Sequence, residues 1–314
     1  MISSEDAARL SKKGGTMKAK ARILSFKRFE IHDGDGIRTT LFFKGCPLRC
    51  KWCHNPESLS HKIEKMFDAK LCVDCMRCTR LCDANIIEHN KHVFVRENCT
   101  FCGHCEAICP QRAFETAGID RSPKEIAEEL LKDEIFMKNS GGGVTFSGGE
   151  PLMQANLCVE IAKLLKQKDI NIAIDTSAAV SRAAIDAVLP YVDTFLFDIK
   201  AMDEAVHIRC TGASNKVILE NILYVDSIGK PFEVRYPYVP TMNDSEWESI
   251  ASFVGHLKNV KILRILPYHN YADRKYACLG LSYPLPEIPI PSVEEVSSIA
   301  EKMKSFGLHN VVVG

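Results

Sequence analysis

The sequence predicts an α/β protein built on a parallel sheet, open or curved into a barrel, with a small cysteine-rich module inserted into it. Short apolar segments alternate with amphipathic segments through the C-terminal two-thirds of the chain, which is typical of βα units. Eleven of the fourteen cysteines lie between Cys46 and Cys109. Without the polar N-terminus and the densest cysteine-rich part, about 245 residues remain, a usual size for one βα barrel.

The predicted strands are short, apolar segments, most of them ending in a polar residue or a glycine. They cover residues 21–30, 39–45, 144–149, 171–177, 194–200, 232–239 and 261–269. Residues 1–20 are polar, lysine-rich and interrupted by Gly14-Gly15, which predicts a flexible tail. The stretch 66–115 has few long apolar segments and is predicted to be the insert, so that residues 21–65 and 116–314 form the barrel.

Helices are predicted between these strands from their caps and apolar stripes. Ser122-Pro123-Lys124-Glu125 offers a capping box with a proline in the first turn. Apolar residues at helical spacing follow between Leu152 and Leu165. Further helices are predicted at residues 181–189, at 245–257 after Ser245-x-x-Glu248, and from Ser292-x-x-Glu295 to a glycine stop at Gly307.

The overall composition argues against nucleic acid and membrane partners. Lys plus Arg and Asp plus Glu both number 40, so the formal net charge is zero and no global field attracts nucleic acid or an anionic membrane. No apolar run approaches the length of a membrane span, and the N-terminus lacks the apolar core of a signal peptide. We therefore expect a cytoplasmic protein.

The insert carries two similar cysteine runs. They read Cys72-x2-Cys75-x2-Cys78-x3-Cys82 and Cys99-x2-Cys102-x2-Cys105-x3-Cys109-Pro110. The second is the bacterial ferredoxin run for [4Fe–4S] binding, in which the fourth cysteine ligates the other cluster. One predicted cluster therefore takes Cys72, Cys75, Cys78 and Cys109, and the other takes Cys99, Cys102, Cys105 and Cys82.

Zinc and disulfides are the alternatives for these thiols. Pairs of C-x2-C also suit zinc, but eight thiols in two triplet-plus-one runs favour clusters. Asp83 stands where the first run would have a proline and leaves the ligand set intact. A disulfide framework would fit a secreted protein, for which the sequence has no export signal.

A third run, Cys46-x3-Cys50-x2-Cys53, has different spacing and no fourth cysteine nearby. A cluster with three protein ligands keeps one iron open to an exogenous ligand, as a catalytic zinc site keeps one open position. The scattered Cys158 and Cys210, together with Cys278, are predicted to be small buried hydrophobic residues.

These features together resemble a known superfamily. A C-x3-C-x2-C run followed by a strand ending in Gly-Gly-Glu-Pro resembles the radical S-adenosylmethionine superfamily. Residues 31–58, IHDGDGIRTTLFFKGCPLRCKWCHNPES, resemble the glycyl-radical-enzyme activating enzymes, which typically show DGPGIR. Asp35 departs from that pattern, and because its flanking glycines remain we expect a loop change rather than a lost function. The resemblance spans about Ile23 to His269. One branch of the family has a two-cluster ferredoxin insert after the first cysteine motif, as this chain does.

The resemblance implies a partial (β/α) barrel of radical S-adenosylmethionine type with a ferredoxin-like insert, three [4Fe–4S] clusters and bound S-adenosyl-L-methionine. It implies that Cys46, Cys50 and Cys53 hold the open-site cluster. The residues implied to contact S-adenosylmethionine are Trp52, Cys53, His54, Gly148, Gly149, Glu150, Asp198, Ile199, Lys200 and His269. The glycines would let backbone approach the ligand, although a helix-entry turn also explains them. Lys200 offers a cation and His269 an adjustable donor.

Two further residues are weaker candidates. Asp175 and Asp198 invite comparison with a monovalent-cation site of the family, with a salt bridge or simple capping as the alternative. Arg235 alternates with apolar residues along its strand. If the face that carries Arg235 lines the barrel interior, this residue is a candidate for ordering the substrate loop. An exposed strand face is the alternative for Arg235.

The resemblance implies an activase that reductively cleaves S-adenosylmethionine and takes a hydrogen from a glycine Cα of a partner glycyl radical enzyme. A flavodoxin or ferredoxin would supply the electron. Two other hypotheses remain open at this point. One is another radical S-adenosylmethionine enzyme, such as a peptide maturase or sulfatase-type oxidant. The other is a non-catalytic iron–sulfur electron carrier, which leaves the three-cysteine run and His269 unexplained.

Overall fold

The structure, a computed structural model, describes residues 19–285 and 287–314. The predicted tail over residues 1–20 therefore lies, except for its last two residues, outside the described residues. The strands of the main sheet are β1 (Ala21–Glu30), β2 (Arg38–Phe43), β7 (Ile119–Arg121), β8 (Gly143–Gly148), β9 (Asn171–Thr176), β10 (Thr194–Asp198), β11 (Phe232–Tyr238), β12 (Val260–Pro267) and β13 (Val311–Val313). The smaller strands are β3 (Glu64–Phe67), β4 (Asn85–Glu88), β5 (Lys91–Phe94) and β6 (Phe114–Ala117).

The main sheet has nine strands in the order β13-β12-β11-β10-β9-β8-β2-β1-β7. Neighbouring strands are parallel from β2 through to β13, whereas β1 pairs antiparallel with β2 and with β7. Among the described strands, β7 and β13 are edges, so the sheet does not close on itself. The α/β prediction with a parallel sheet is thereby confirmed, and the seven predicted strands all form within two residues of their predicted ends.

Ten α-helices form among the described residues. They are α1 (His104–Ile108), α2 (Pro123–Leu130), α3 (Glu134–Ser140), α4 (Ala155–Lys166), α5 (Arg182–Val188), α6 (Glu204–Thr211), α7 (Lys216–Ser227), α8 (Trp247–Gly255), α9 (Asp273–Cys278) and α10 (Val293–Lys304). The apolar faces of α2 to α5, α7, α8 and α10 pack on fully buried strand residues such as Phe146, Phe195 and Ile265, which supplies most of the burial that stabilises the fold. The helices α6 and α9 belong to a smaller apolar cluster, and α1 belongs to the insert. None of the helices in the described part of the chain is long and apolar enough to cross a membrane.

Two of the predicted helix caps form and one does not. Ser122 and Glu125 make the reciprocal bonds of a capping box at α2, and the Ser292 hydroxyl accepts from the Glu295 amide at α10. The prediction that Ser245 caps a helix is wrong. A 3-10 turn covers Asp244–Glu246 and α8 begins at Trp247 without a side-chain cap, because the buried Asn243 and Glu246 side chains fix this turn by bonding backbone groups of other segments.

The cysteine-rich segment folds as a small unit on two short antiparallel pairs. β3 pairs with β6, and β4 pairs with β5. Its apolar centre is a cluster of rings in which Phe67 stacks on Phe114 with centroids 4.8 Å apart, with Phe94 at the edge of Phe114. Few other apolar side chains are buried there, in line with the prediction that this segment cannot form a large core.

Candidate active site

A cavity of about 240 Å³ lies at the C-terminal ends of the parallel strands β8 to β12, where βα folds place their active sites. Eleven of the predicted site residues line it: Cys46, Cys50, Trp52, Cys53, His54, Gly148, Gly149, Asp175, Asp198, Lys200 and Arg235. The backbone at Gly45 and Cys46 is held by bonds to the carbonyls of Ser58 and Leu59. The cysteine loop, residues 46–53, is therefore anchored where it begins.

The three thiols of this loop face the cavity from half-buried positions. Burial raises the pKa of Cys46 and of Cys53 to about 12, and it also raises the pKa of Cys50. As free thiols they would therefore stay protonated at neutral pH. A metal that binds these cysteines as thiolates has to displace their protons. Three neighbouring cysteines on the wall of one cavity fit the ligand set of an iron–sulfur cluster.

Lys200 brings a cation to the cavity from the end of β10. Its ammonium lies 2.8 Å from Asp198 Oδ2, and the side chain is 8% exposed. Burial opposes the charge, but the carboxylate of Asp198 raises the pKa of Lys200 above its ordinary value. The ammonium therefore stays charged and can attract a carboxylate of a ligand in the cavity.

Arg235 points into the protein interior, so the exposed-face alternative for this residue is wrong. Its guanidinium lies 3.4 Å from Asp175 and 3.5 Å from Asp33, and it donates to the carbonyl of His32 at 2.7 Å. Its Nε is buried without a hydrogen-bond partner among the described residues. Arg235 thus links the cavity to the loop between β1 and β2.

Both carboxylates of the suggested cation site are engaged by protein cations. Asp175 pairs with Arg235 and accepts a bond from the Ser147 hydroxyl at 2.6 Å, while Asp198 pairs with Lys200. Burial raises the pKa of Asp175, and the charge of Arg235 opposes that rise. These contacts support the salt-bridge alternative rather than a cation site.

Glu150 lies behind the cavity wall instead of in it. Its side chain is fully buried and accepts bonds from the Ser177 hydroxyl at 2.6 Å, the Ser177 amide at 2.9 Å, the Thr176 hydroxyl at 2.7 Å and the Leu152 amide at 3.1 Å. Burial raises the pKa of Glu150, although these hydrogen bonds act to lower it. The prediction of direct ligand contact is not supported, because the carboxylate fastens the end of β9 to the end of β8.

The two glycines before Glu150 are required by close backbone packing. A Cβ on Gly149 would lie 2.2 Å from the Gly45 carbonyl oxygen, and one on Gly148 would lie 2.3 Å from the Phe43 amide nitrogen. Gly148 also has a φ of +112°, which disfavours side chains. The glycines let β8 and the start of the cysteine loop pack together, in addition to whatever space they leave for a ligand.

Stacked rings form one end of the site. His54 lies on His269 with ring centroids 3.7 Å apart, and His269 lies 4.3 Å from the ring of Tyr271. Burial, assisted by the charge of His269, lowers the pKa of His54 to about 4, and burial lowers the pKa of His269. Both imidazoles are therefore neutral near pH 7, and each keeps one buried nitrogen without a partner among the described residues.

Two other predicted contact residues do not line the cavity. The Ile199 side chain packs in the hydrophobic core, 1% exposed, because it alternates with Asp198 and Lys200 and so faces the other way. His269 lies behind His54, at the edge of the site. Sequence reasoning placed Thr176 and Ser177 at a strand end, and both line the cavity. It missed Asn55, Ser147 and Tyr268 as lining residues. Ser147 could have been found, because it lies next to the last residue of its strand.

Asp33 and Asp35, the two acidic residues of the DGDGIR loop, lie in different environments. Asp33 accepts from the Thr40 hydroxyl at 2.7 Å and pairs with Arg235. The Asp35 side chain is 72% exposed, and its carboxylate lies 3.8 Å from the ammonium of Lys261. The position where this chain departs from DGPGIR is thus a solvent-facing one, as expected for a loop change.

The insert brings its eight cysteines into two groups. Cys72, Cys75, Cys78 and Cys109 border one small cavity. In the other group Cys82 lies near Cys102 and Cys105, and Cys99 also lies near Cys105. Burial raises the pKa of Cys105. Within residues 19–285 and 287–314, no three His, Cys, Asp or Glu side chains converge closely enough to hold one metal ion. Thiols spread around a cavity suit a multi-iron cluster better than tetrahedral zinc.

Comparison with known families agrees with this geometry. The family described as the radical SAM superfamily matches residues 96–254. A "4Fe-4S single cluster domain" matches residues 32–86, and a "4Fe-4S dicluster domain" matches residues 64–110. The fold is also similar to that of a radical SAM methyltransferase from Sphaerobacter thermophilus, with a TM-score of 0.52 and 12% identity over 100% of this chain and 82% of that one. The fold and the cysteine loop thus define a radical S-adenosylmethionine protein with a ferredoxin-like insert.

The relatives narrow the class further. The choline trimethylamine-lyase activating enzyme of Oleidesulfovibrio alaskensis is 35% identical over 91% of this chain and 96% of its own length. The trans-4-hydroxy-L-proline dehydratase activating enzyme of Clostridioides difficile is 34% identical over 93% of this chain and 99% of its own length. The chain belongs to the glycyl-radical-enzyme activating enzymes.

Proposed function

We propose that this protein activates a glycyl radical enzyme by removing a hydrogen atom from a glycine Cα of that partner. The observation that carries the proposal is the cavity in which the three-cysteine loop faces Lys200 and the strand ends of β8 and β9. Cys46, Cys50 and Cys53 would hold a cluster that, together with bound S-adenosylmethionine, would supply one-electron chemistry: the cofactor would be reductively cleaved and, after taking the hydrogen atom, would leave as methionine and 5′-deoxyadenosine.

The residues of the chain have distinct roles in this proposal. Cys46, Cys50 and Cys53 hold the cluster and leave one iron without a protein ligand. Lys200, kept charged by Asp198, attracts the carboxylate of the methionyl group. Trp52, which is 5% exposed, and the rings of His54 and His269 shield the cavity from water, which protects a reactive radical.

The insert is proposed to hold two further clusters, giving three in all. Its ligand sets are those of the two cysteine groups, Cys72, Cys75, Cys78 and Cys109 in one and Cys82, Cys99, Cys102 and Cys105 in the other. The division into residues 21–65 with 116–314 and the insert 66–115 is supported by the pairing of β3 with β6, which brings the two ends of the insert together. A flavodoxin or ferredoxin is the proposed electron donor, in the cytoplasm.

We also propose that the main sheet curves as a partial barrel. Three strands lie between β11, which carries Arg235, and β2, so four strand spacings of a flat sheet would separate them by roughly 19 Å. Arg235 nevertheless contacts Asp33, which itself bonds Thr40 on β2. Curvature of the sheet around the loop at residues 31–37 explains how the Arg235 side chain on β11 reaches Asp33, which is itself bonded to β2.

The proposal is tested with a deuterated substrate. The reconstituted protein is reduced anaerobically with dithionite in the presence of S-adenosylmethionine and a glycyl radical enzyme whose glycines are deuterated at Cα. Deuterium in the 5′-deoxyadenosine, together with a glycyl radical signal in the partner, is the expected result. Unlabelled 5′-deoxyadenosine with every partner tried would favour a different radical substrate, and absence of 5′-deoxyadenosine would leave an electron carrier.

A further inference from the structure

One face of the insert combines an exposed cysteine with an exposed apolar side chain. Cys75 is exposed and Val73 is 59% exposed. Both border the cavity that is also lined by Cys72, Cys78 and Cys109. This cavity therefore reaches the protein surface at Cys75, so an electron could enter here over a short distance.

The same face carries positive charge that the chain does not neutralise. Lys70 and Arg77 flank the Cys72–Cys75 segment, and Arg112 follows Cys109 by three residues. All three are exposed, and their side chains make no ion pair or hydrogen bond with any residue in the described part of the chain. We call the surface formed by Lys70, Val73, Cys75, Arg77 and Arg112 the Cys75 face.

The neighbouring charges make this face distinct within the insert. Asp74, the exposed carboxylate inside the segment, accepts a hydrogen bond from the backbone amide of His92 at 2.9 Å and offsets one of the three positive charges. Two other basic residues of this region are bound within the protein, since Lys65 pairs with Glu106 at 2.8 Å and Arg96 donates to the Cys278 carbonyl at 2.5 Å. Arg80 and Lys91 are also exposed and unpaired among the described residues, so three of the five unpaired basic side chains of the insert belong to the Cys75 face.

The second cysteine group has more acidic surroundings, although the exposed Arg80 lies two residues before Cys82. Asp83 directly follows Cys82, and Glu97 precedes Cys99 by two residues; both acids are exposed and neither pairs with a basic side chain of the described residues. An acidic partner would therefore be attracted to the Cys75 face and repelled from the surroundings of Cys82 and Cys99.

We propose that the Cys75 face docks an acidic one-electron carrier protein of the flavodoxin or ferredoxin class. The inference rests on the proposed function, which requires an external reductant. The carrier loses one electron and this protein gains it, with no atom exchanged. Charge complementarity of this kind speeds encounter and fixes orientation more than it adds affinity.

The glycyl radical enzyme is a poorer occupant of this surface. That partner has to present its glycine to the cavity at Cys46, Cys50 and Cys53, and no residue of the Cys75 face lines that cavity. A carrier needs only to bring its redox centre close to Cys75, because an electron travels through the protein while a hydrogen atom has to be taken directly.

The test reverses charge on the Cys75 face of the holoprotein. The double variant Arg77→Glu/Arg112→Glu is compared with Lys124→Glu/Lys258→Glu, which changes net charge equally at two exposed lysines outside the insert. Binding of oxidised flavodoxin and of oxidised ferredoxin is measured by calorimetry, and reduction of the protein by each reduced carrier is followed by stopped flow. Iron content and cluster absorbance confirm that both variants are assembled.

We expect the association rate to fall by about 10-fold or more in Arg77→Glu/Arg112→Glu and by less than about 2-fold in the control. The rate of the unchanged protein should fall with added salt more steeply than that of the variant. Equal binding and reduction rates in all three proteins would overturn the proposal. Loss of glycyl radical enzyme binding, or of self-association, with carrier binding intact would also overturn it, because the face would then belong to that partner.

The same variants separate this inference from the proposed function. Dithionite bypasses the carrier, so S-adenosylmethionine cleavage driven by dithionite should be unchanged in Arg77→Glu/Arg112→Glu. If the unchanged protein does not cleave S-adenosylmethionine with dithionite, the proposed function fails, whereas the carrier-binding measurement still decides whether the Cys75 face docks an acidic carrier.

Discussion

Lys275 donates a hydrogen bond to the backbone carbonyl of His54 at 3.0 Å, and His54 directly follows the last cysteine of the cysteine loop. The same ammonium reaches Asn55 Oδ1 at 3.0 Å and Glu57 Oε1 at 2.6 Å. Lys275 belongs to α9, and its neighbour Arg274 pairs with Asp68 of the insert at 2.5 Å. The short helix α9 therefore joins the cysteine loop to the insert.

Replacing Lys275 by Met should loosen the cysteine loop. The change removes three hydrogen bonds and leaves the buried Glu57 carboxylate without its cation. Because the Lys275 side chain is 39% exposed, we expect a loss of about 1 kcal/mol, which lowers Tm by roughly 2–4 °C. The electron paramagnetic resonance signal of the reduced cluster should also change on addition of S-adenosylmethionine less than it does in the unchanged protein.

Two variants control this prediction. Lys275→Arg retains the charge and should recover most of the spectroscopic response. Lys168→Met removes an exposed lysine from the turn after α4 and should leave Tm and the spectrum unchanged. A Lys275→Met protein that matches Lys168→Met in both measurements would show that the bonds to His54, Asn55 and Glu57 do not order the loop.

Alanine at Gly149 should be far more damaging than alanine at another glycine close by. The new Cβ would lie 2.2 Å from the Gly45 carbonyl oxygen, so backbone has to move and the expected cost exceeds about 3 kcal/mol. Gly141 has a φ of +69° but no atom within 4 Å of its Cβ position, so Gly141→Ala should cost about 1 kcal/mol. Thermal unfolding and soluble yield compare the two; equal losses would contradict the packing role of Gly149.

Local sequence patterns predicted the features that depend on near neighbours. The Ser122 and Ser292 caps are set by residues three positions away, and strand ends placed Asp198 and Lys200 correctly at the cavity. Alternation along β10 could also have shown that Ile199 faces away from them. These parts of the site follow from the period of the strand and need no knowledge of the rest of the chain.

Other parts of the site depend on contacts between distant segments. Glu150 is held by Thr176 and Ser177, which lie 26 and 27 residues later. Arg235 reaches Asp33 across about 200 residues of chain, and the reach depends on how the sheet is shaped. The failed Ser245 cap has the same cause, since Asn243 and Glu246 are fixed by bonds to Lys200 and Met202. No local pattern carries that information.

Asp33 and Asp35 provide a matched pair for testing the loop between β1 and β2. Asp33→Asn removes the charge that faces the buried Arg235, and we expect a loss of about 1–3 kcal/mol. Asp35→Asn affects an exposed contact of 3.8 Å and should change stability by less than about 0.5 kcal/mol. Unfolding by denaturant and the rate of 5′-deoxyadenosine formation report both effects, and the rate should fall only for Asp33→Asn. Similar behaviour of the two variants would contradict the anchoring role of Asp33.

The crossed ligand sets of the insert can be tested by combining cysteine substitutions. Cys109 borders the cavity of Cys72, Cys75 and Cys78, although in the chain it belongs to the run that starts at Cys99. Each of Cys78→Ala, Cys105→Ala and Cys109→Ala should remove about 4 of the roughly 12 iron atoms expected for three [4Fe–4S] clusters. The double variant Cys78→Ala/Cys109→Ala should lose no more iron than either single variant, because both residues serve one cluster. Cys105→Ala/Cys109→Ala should lose about 8 iron atoms, because those residues serve two clusters. The opposite pattern would mean that each run closes its own cluster, and Cys158→Ala, which changes a fully buried thiol outside the insert, should leave the iron content unchanged.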